Sequence, residues 1–203
     1  MITSEGLQAS FRYLFVSELA ALKQLAQSLP ERNPRIINIG AGSGTSGLAF
    51  MESRPDIFLT TIDIQDEDSP FGCLEAERRV IDEAGYGNIP GMIKRHLQIH
   101  ADSKVVGKEF QEAGFRKASL VFIDGDHSYN GCKGDILAWL PNIKPGGIMA
   151  VHDFNKKEVY KDGPIENAPH PLPWPGVDRA VRKFLCLRYE IILQVATLVA
   201  FRV

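Results

Sequence analysis

Cysteine is scarce in this chain: Cys73, Cys132 and Cys186 are the only three, and they stand far apart. None forms a Cys-x-x-Cys pair, which argues against thiolate metal sites and redox motifs and fits a reducing cytoplasm. An excess of either charge is also missing. With a formal net charge of −2 there is no basic field for a polyanion, so nucleic acid is not an expected partner. Long apolar runs are absent as well. The most apolar segment, Ile191 to Phe201, is too short to span a bilayer and is interrupted by Gln194 and Thr197, so no membrane partner is expected. Met1-Ile2-Thr3-Ser4-Glu5 lacks a basic region leading into an apolar core, and no signal peptide is expected. No repeat or low-complexity block interrupts the chain.

What is present suits one domain with a substantial core: 203 residues, 44% of them hydrophobic. Leu7, Phe11, Leu14, Phe15, Leu19, Leu22, Leu25, Ala26 and Leu29 recur at helical spacing and predict one amphipathic helix ending near Pro30, so residues 1–33 read as an N-terminal helical cap. Strand–helix alternation follows. Ile36–Ile39, Phe58–Asp63, Lys94–His100, Ala118–Ile123 and Ile148–Val151 read as strands, the last preceded by a Lys144-Pro145-Gly146-Gly147 turn. Helices are expected over Cys73–Ala84, Ser103–Ala113, Gly131–Leu140 and Val177–Leu185. Nearly wholly apolar strands alternating with helices imply a parallel sheet covered on both faces. Tyr189–Val195 and Leu198–Val203 are joined too closely for a parallel crossover, so they form a hairpin that places one antiparallel strand in the sheet. The fold class is therefore α/β, a Rossmann-like three-layer sandwich with a mixed, seven-stranded sheet. Residues 155–176, rich in proline and holding His170 and Trp174, read as a substrate lid leaving the carboxyl edge of the sheet.

Three strand ends carry the chemistry. After Ile36–Ile39 comes Gly40-Ala41-Gly42-Ser43-Gly44, a tight loop opening a helix, where a nucleotide-like cofactor can approach the backbone. The third position of a Gly-x-Gly-x-x-Gly fingerprint would be Thr45, and no Gly-Lys-Ser/Thr follows, so neither a dinucleotide motif nor a P-loop is complete. Asp63 closes the second strand about twenty residues on, where a carboxylate can accept from ribose hydroxyls. The neighbouring Asp66, Glu67 and Asp68 read as solvated turn residues. Asp102-Ser103 ends the third strand near the base end of the same ligand, with Ser103 equally able to serve as a helix N-cap. The second dense region is Asp124-Gly125-Asp126-His127-Ser128-Tyr129, and the third is His152-Asp153. If the fourth and fifth strands are adjacent, Asp124 and Asp153 converge on one point with His152. That set could hold Mg²⁺ or another divalent ion, or Asp124 could contact the cofactor instead. Tyr129 and Trp139 read more readily as packing residues than as substrate platforms.

Asn38 to Gly44, Asp63, Asp102-Ser103, Ile123 to Tyr129 and Lys144-Pro145-Gly146-Gly147…His152-Asp153 together resemble a class I S-adenosylmethionine-dependent methyltransferase. The subgroup it resembles is the small bacterial O-methyltransferases with an Asp-Gly-Asp-His-Ser-Tyr segment. The resemblance covers about residues 34 to 154. It implies S-adenosylmethionine as cofactor, with Asn38, Gly40, Gly42, Gly44, Asp63, Asp102, Ser103 and Asp124 around it. It also implies a small-molecule hydroxyl (sugar, phenol or natural product) as methyl acceptor, and His127, His152 and Asp153 as catalytic residues. A divalent metal on Asp124, His152 and Asp153 is allowed by it, and oligomeric state is left open, a homo-oligomer included. Two positions depart from the family: Asn38 stands where an acid is usual, and His152-Asp153 stands where metal-dependent relatives place two acids or Asp-Asn. A competing enzyme reading is an NAD(P)-dependent reductase or epimerase. Tyr129 and Lys133 have the Tyr-x-x-x-Lys spacing for it, but no catalytic Ser stands in an obvious place upstream. A non-catalytic cofactor-binding module is the third reading.

Overall fold

The structure, a computed structural model, describes residues 2–11, 13–65, 73–87, 95–159 and 173–203. In chain order the elements are α1 (Ser4–Phe11), α2 (Val16–Gln27), β1 (Arg35–Ile39), α3 (Thr45–Ser53), β2 (Phe58–Asp63), α4 (Leu74–Glu83), β3 (His96–His100) and α5 (Ser103–Glu112). There follow β4 (Ala118–Ile123), α6 (Tyr129–Trp139), β5 (Ile143–Val151), α7 (Lys156–Val159), α8 (Pro175–Val181), β6 (Glu190–Val195) and β7 (Leu198–Arg202). Lys94, the turn acids Asp66, Glu67 and Asp68, and the centre of the expected lid, with Pro164, Pro169, His170 and Pro171, lie outside the described residues.

The seven strands form one sheet in the order β3-β2-β1-β4-β5-β7-β6. The first five are parallel, and β7 runs antiparallel to both β5 and β6. Alternation within each strand splits the core into two layers. Ile36, Leu59, Leu120, Phe122, Ile148 and Ala200 face α2, α3 and α4, while Ile37, Ile62, Val121, Met149 and Phe201 face α5, α6 and α8. Both faces being covered is why the central strands are almost wholly buried and mostly apolar. The strand order reverses beside β1, the place at the carboxyl edge where open α/β sheets bind ligands, and the ends of β2, β1, β4 and β5 lie around it.

Three expectations needed revision. The N-terminal helix is two helices: Glu18 turns inward and its Oε2 accepts from the Phe15 N–H (2.7 Å), which starts α2 afresh, while Gln8 bonds the Leu14 carbonyl across the break. The Lys144–Gly147 turn is an irregularity within β5, because Gly146 N–H donates to Val203 O (2.6 Å) and keeps the segment in the sheet. The helix after β4 begins at Tyr129, earlier than Gly131, because Ser128 caps it: the Ser128 hydroxyl accepts from Gly131 N–H (3.0 Å) and Asp126 holds Ser128 N–H (2.8 Å).

Trp139 is fully buried as a packing residue, its Nε1–H donating to Ser103 O (3.1 Å). Close by, the Ser103 hydroxyl donates to the buried Asp135 carboxyl, joining α5 to α6. Burial raises the Asp135 pKa to about 6, against the lowering effects of Ser103 and Lys104 and with the help of Asp102 and Asp126. A carboxyl whose folded pKa lies above its unfolded value stabilises the fold only while protonated. Its contribution is therefore present below the unfolded value near 4 and lost as pH rises to about 6, by at most about 2–3 kcal/mol. Denaturant titrations at stepped pH values check this: Asp135→Asn should flatten that part of the stability curve relative to wild type, and parallel curves would refute the assignment.

Candidate active site

β1 ends in the glycine loop, and hydrogen bonds between neighbouring strand ends fix it in place. Gly40 N–H donates to Ile62 O and Asp124 N–H to Ile39 O, both at 2.9 Å. Gly40 has φ +95°, and a Cβ there would lie 2.2 Å from the Asp124 carbonyl oxygen, so no other residue fits. Gly42 is the opposite case: a Cβ on it would meet nothing within 4 Å, so the loop presents an open face there. Gly44 stands at the N-cap of α3 without a side-chain cap, so no side chain there takes up the first-turn N–H groups. Asp63 is held by its own neighbours, Oδ2 accepting from Ala41 N–H (2.6 Å) and Oδ1 from Gln65 N–H (2.8 Å). Each oxygen keeps a further lone pair for a hydroxyl. An uncluttered glycine backbone beside a fixed carboxylate fits a nucleoside cofactor.

Asn38 is fully buried behind the loop. Its Oδ1 accepts from Ser46 Oγ (3.3 Å), and its Nδ2 reaches Glu77 Oε1 and Thr61 Oγ1 (both 3.4 Å). Glu77, which sequence reasoning missed, is a buried carboxylate at the centre of this network. It accepts from Thr61 Oγ1 (2.8 Å) and Gln98 Nε2 (2.8 Å), and faces His96 Nε2 (3.1 Å). Asn38 therefore supports α3 from behind, and the carboxylate beside it comes from α4. The third strand end resolves the two readings of Ser103: Asp102 is the N-cap of α5, accepting from Lys104 N–H (2.9 Å), and Ser103 is inside the helix on Asp135.

β4 and β5 are adjacent, with Ile123 opposite Val151 and His152 N–H donating to Ile123 O (3.0 Å). This brings Asp124, His127, His152 and Asp153 together. His152 is buried, with Nδ1 3.1 Å from Asp124 Oδ1 and Nε2 3.1 Å from Glu18 Oε2. Thr197, at the tip of the β6–β7 hairpin, sends its N–H and its hydroxyl to Glu18 Oε1 (2.7 Å each). His127 Nε2 lies 3.0 Å from Asp153 Oδ2 and 3.7 Å from Asp124 Oδ1, and its ring stacks on Trp174 (4.6 Å between centroids, 20° between planes). Lys156 Nζ donates to Asp153 Oδ1 at 2.8 Å, both side chains being buried. Glu18, Lys156 and Thr197 were not foreseen. A buried acid on the apolar side of an amphipathic helix was the one sequence signal available, and it was visible only for Glu18.

The electrostatics follow from this packing. Burial opposes charge on His152, but Asp124, Glu18 and Asp153 outweigh it and lift its pKa well above the ordinary histidine value. Burial likewise opposes charge on Asp124, yet the charge of His152, the nearby His127 and the hydrogen bond from His152 hold it far below the usual carboxylate range. Asp153 is lowered in the same way, against burial, by His152, His127 and Lys156. His127 is raised to about 9, its burial overcome by the neighbouring carboxylates of Asp124 and Asp153. A shallow cleft of about 540 Å³ adjoins it, lined by His127, Tyr129, Trp174, Pro175 and their neighbours, a size suited to a small molecule. Arg179 lies over the Tyr129 ring (4.6 Å) and docks α8 on α6 beneath the cleft.

The expected metal ligands do converge: Asp124, His152 and Asp153 each offer an atom within 4.8 Å of the others. They do not fit an ion as they stand. Both Asp153 oxygens and Asp124 Oδ1 already face cationic or N–H partners. Both His152 nitrogens face carboxylates, and the Thr197 hydroxyl proton is used on Glu18, so each nitrogen must donate and none offers a lone pair.

Among curated proteins no relative matches the chain. Solved structures do. An O-methyltransferase from Bacillus cereus in complex with SAH superposes with a TM-score of 0.66 at 13% identity, over 98% of this chain and 87% of that one. CalS11, a TDP-rhamnose 3'-O-methyltransferase of calicheamicin biosynthesis, gives 0.63 at 18% identity over 92% and 77%. MycE, of the mycinamycin pathway, in complex with Mg, SAH and mycinamycin VI, gives 0.58 at 13% identity over 90% and 47%. At these identities the likeness shows the fold. The sequence itself matches the family profile described as a methyltransferase domain over residues 37–154, from the first strand to the end of the acid–histidine cluster and more than half of the chain. The chain belongs to that family of methyltransferase domains.

Proposed function

We propose that the enzyme methylates a hydroxyl group of a small molecule held in the cleft between α6 and α8, with His127 taking the hydroxyl proton. The observation that carries this is the placement of His127. It lines the cleft, stacks on Trp174 and has two carboxylates behind it, Asp153 and Asp124, at the strand ends next to the glycine loop. Bound S-adenosylmethionine supplies a methyl group on a sulfonium, already activated for in-line displacement. The chain has to bring the acceptor oxygen into line and receive one proton, a positioning task more than an electronic one. Gly40, Gly42 and Gly44 let the cofactor lie against the backbone, and Asp63 accepts from its ribose hydroxyls. Asp102 and Ser103 stand at the next strand end, toward the base. Asp153 orients the His127 ring and stabilises the imidazolium formed when the proton arrives. His152, with both nitrogens engaged, is not the base: it holds Asp124, whose carbonyl in turn packs on Gly40.

The walls of the cleft, Trp174, Tyr129 and Pro175, offer flat apolar faces suited to a phenol ring or to the C–H face of a sugar. The methyltransferases from calicheamicin and mycinamycin biosynthesis, similar in fold, act in natural-product pathways, which supports an acceptor of that kind. No helix of the described residues is long and apolar enough to cross a membrane, and the three free cysteines fit a cytoplasmic setting.

Calorimetry with S-adenosylhomocysteine tests the cofactor site. Asp63→Ala is expected to weaken binding by about 10- to 100-fold, as loss of charge-assisted hydrogen bonds does, with no binding of NAD to either protein. Unchanged affinity in Asp63→Ala would remove that residue from the site. Release of S-adenosylhomocysteine across a panel of phenols and sugars then tests the reaction. With an accepted substrate, His127→Phe should lower kcat by about 10²- to 10⁴-fold while leaving cofactor affinity within about twofold. A base held at about 9 carries its proton at neutral pH, so kcat/KM should climb as pH rises and level off near 9. The same climb in His127→Phe would assign the base elsewhere.

A further inference from the structure

We propose that Lys156 takes the place of a divalent ion in this active site: its ammonium occupies the Asp153 oxygen that an ion would need, and it fixes Asp153 against His127. The inference rests on the methyltransferase reading above and concerns how its proton-transfer site is held together. Three features of the geometry carry it.

First, Lys156 is a buried ammonium, a placement that requires a close carboxylate partner. It has one in Asp153 Oδ1 at 2.8 Å, with the Trp174 ring 6.0 Å away. Second, the backbone is bent to bring it there. Asp153 and Asn155 have φ of +61° and +60°, in the left-handed region that residues with a Cβ rarely adopt. Such conformations persist where the surroundings over-determine them, and here they do. Phe154 N–H donates to Thr197 O (2.9 Å) and Asn155 N–H to Asp178 Oδ1 (2.6 Å), which tie the bend to the hairpin and to α8. The bend returns the first residue of α7, Lys156, over the end of β5. Third, the oxygens that an ion would need are already taken. Lys156 Nζ and His127 Nε2 face the two Asp153 oxygens, and His152 Nδ1 faces Asp124 Oδ1. A divalent ion on Asp124 and Asp153 would have to displace the Lys156 ammonium and sit beside its charge.

Lys156 is thus a positioning residue, acting on His127 through Asp153. Binding of Mn²⁺, followed by the loss of its free six-line electron paramagnetic resonance spectrum, tests this directly on the full chain saturated with S-adenosylhomocysteine. At about 0.1 mM Mn²⁺ and excess protein, wild type is expected to leave the free signal within about 10% of its full intensity, because Lys156 fills the site. Lys156→Met and Lys156→Gln, which keep most of the length of the side chain and remove the ammonium, should bind Mn²⁺ at least about 10-fold more tightly than wild type. Uptake of one Mn²⁺ per chain by wild type would overturn the proposal whatever the variants do. So would variants that bind S-adenosylhomocysteine normally yet gain no Mn²⁺. Wild type that binds no S-adenosylhomocysteine would count against the cofactor reading instead, so the two failures are told apart.

Discussion

The His152 ring is the connection on which the rest of the site depends. It bonds Asp124 on one side and Glu18 on the other, and so ties the end of β4 to the N-terminal helix α2 through a residue at the end of β5. An imidazolium between two carboxylates makes charge-assisted hydrogen bonds in a dry setting, and losing either partner would leave an unpaired buried charge. Asp124 is thereby fixed in rotation, with its carbonyl against Gly40. Through Asp124, the acid–histidine cluster and the glycine loop become one rigid edge. The glycine loop and His127 are then held by the same few atoms, an arrangement that suits the proposed transfer, which is governed by alignment.

A second polar network supports the loop from behind. Thr61, Asn38, His96 and Gln98 surround the buried carboxylate of Glu77 beside α3. Fully satisfied networks of this kind specify a unique packing where an apolar core would tolerate slippage. The usual acid of the first strand is thus absent in name, while a carboxylate from α4 stands beside the asparagine that replaces it.

Much of this was legible in the sequence. The largely apolar runs of β1 and β4 reflect a sheet covered on both faces, and the short link between β6 and β7 could only be a hairpin. The residues announced by motif (Gly40, Gly42, Gly44, Asp63, Asp124, His127, His152 and Asp153) do gather along one edge. What was missed has a common cause. Glu18, Lys156 and Thr197 reach the site from elements that carry no motif of their own, and a lone Glu, Lys or Thr in a sequence reads as solvated. Glu18 also broke the expected single helix in two, since an inward carboxylate that bonds Phe15 N–H cannot belong to an uninterrupted amphipathic stripe. Gly146 and Gly147 read as a turn because glycine pairs usually make one, and the bonds of Gly146 N–H to Val203 O and of Val203 N–H to Gly147 O keep them in β5. Helix caps were misplaced by a residue or two, at Asp102 for Ser103 and at Ser128 for the helix predicted to begin at Gly131, where several short polar side chains compete for the same role.

Glu18 and Thr197 meet across a separation of 179 residues. Bringing such distant points together carries a loop-closure cost that grows only slowly with length, but it can be recovered only once almost everything between them is in place. On an emerging polypeptide the glycine loop therefore takes shape well ahead of the Glu18–His152–Asp124 edge, which must wait for the terminal hairpin. An unfinished chain would carry the proposed donor platform without the proposed base in its final setting.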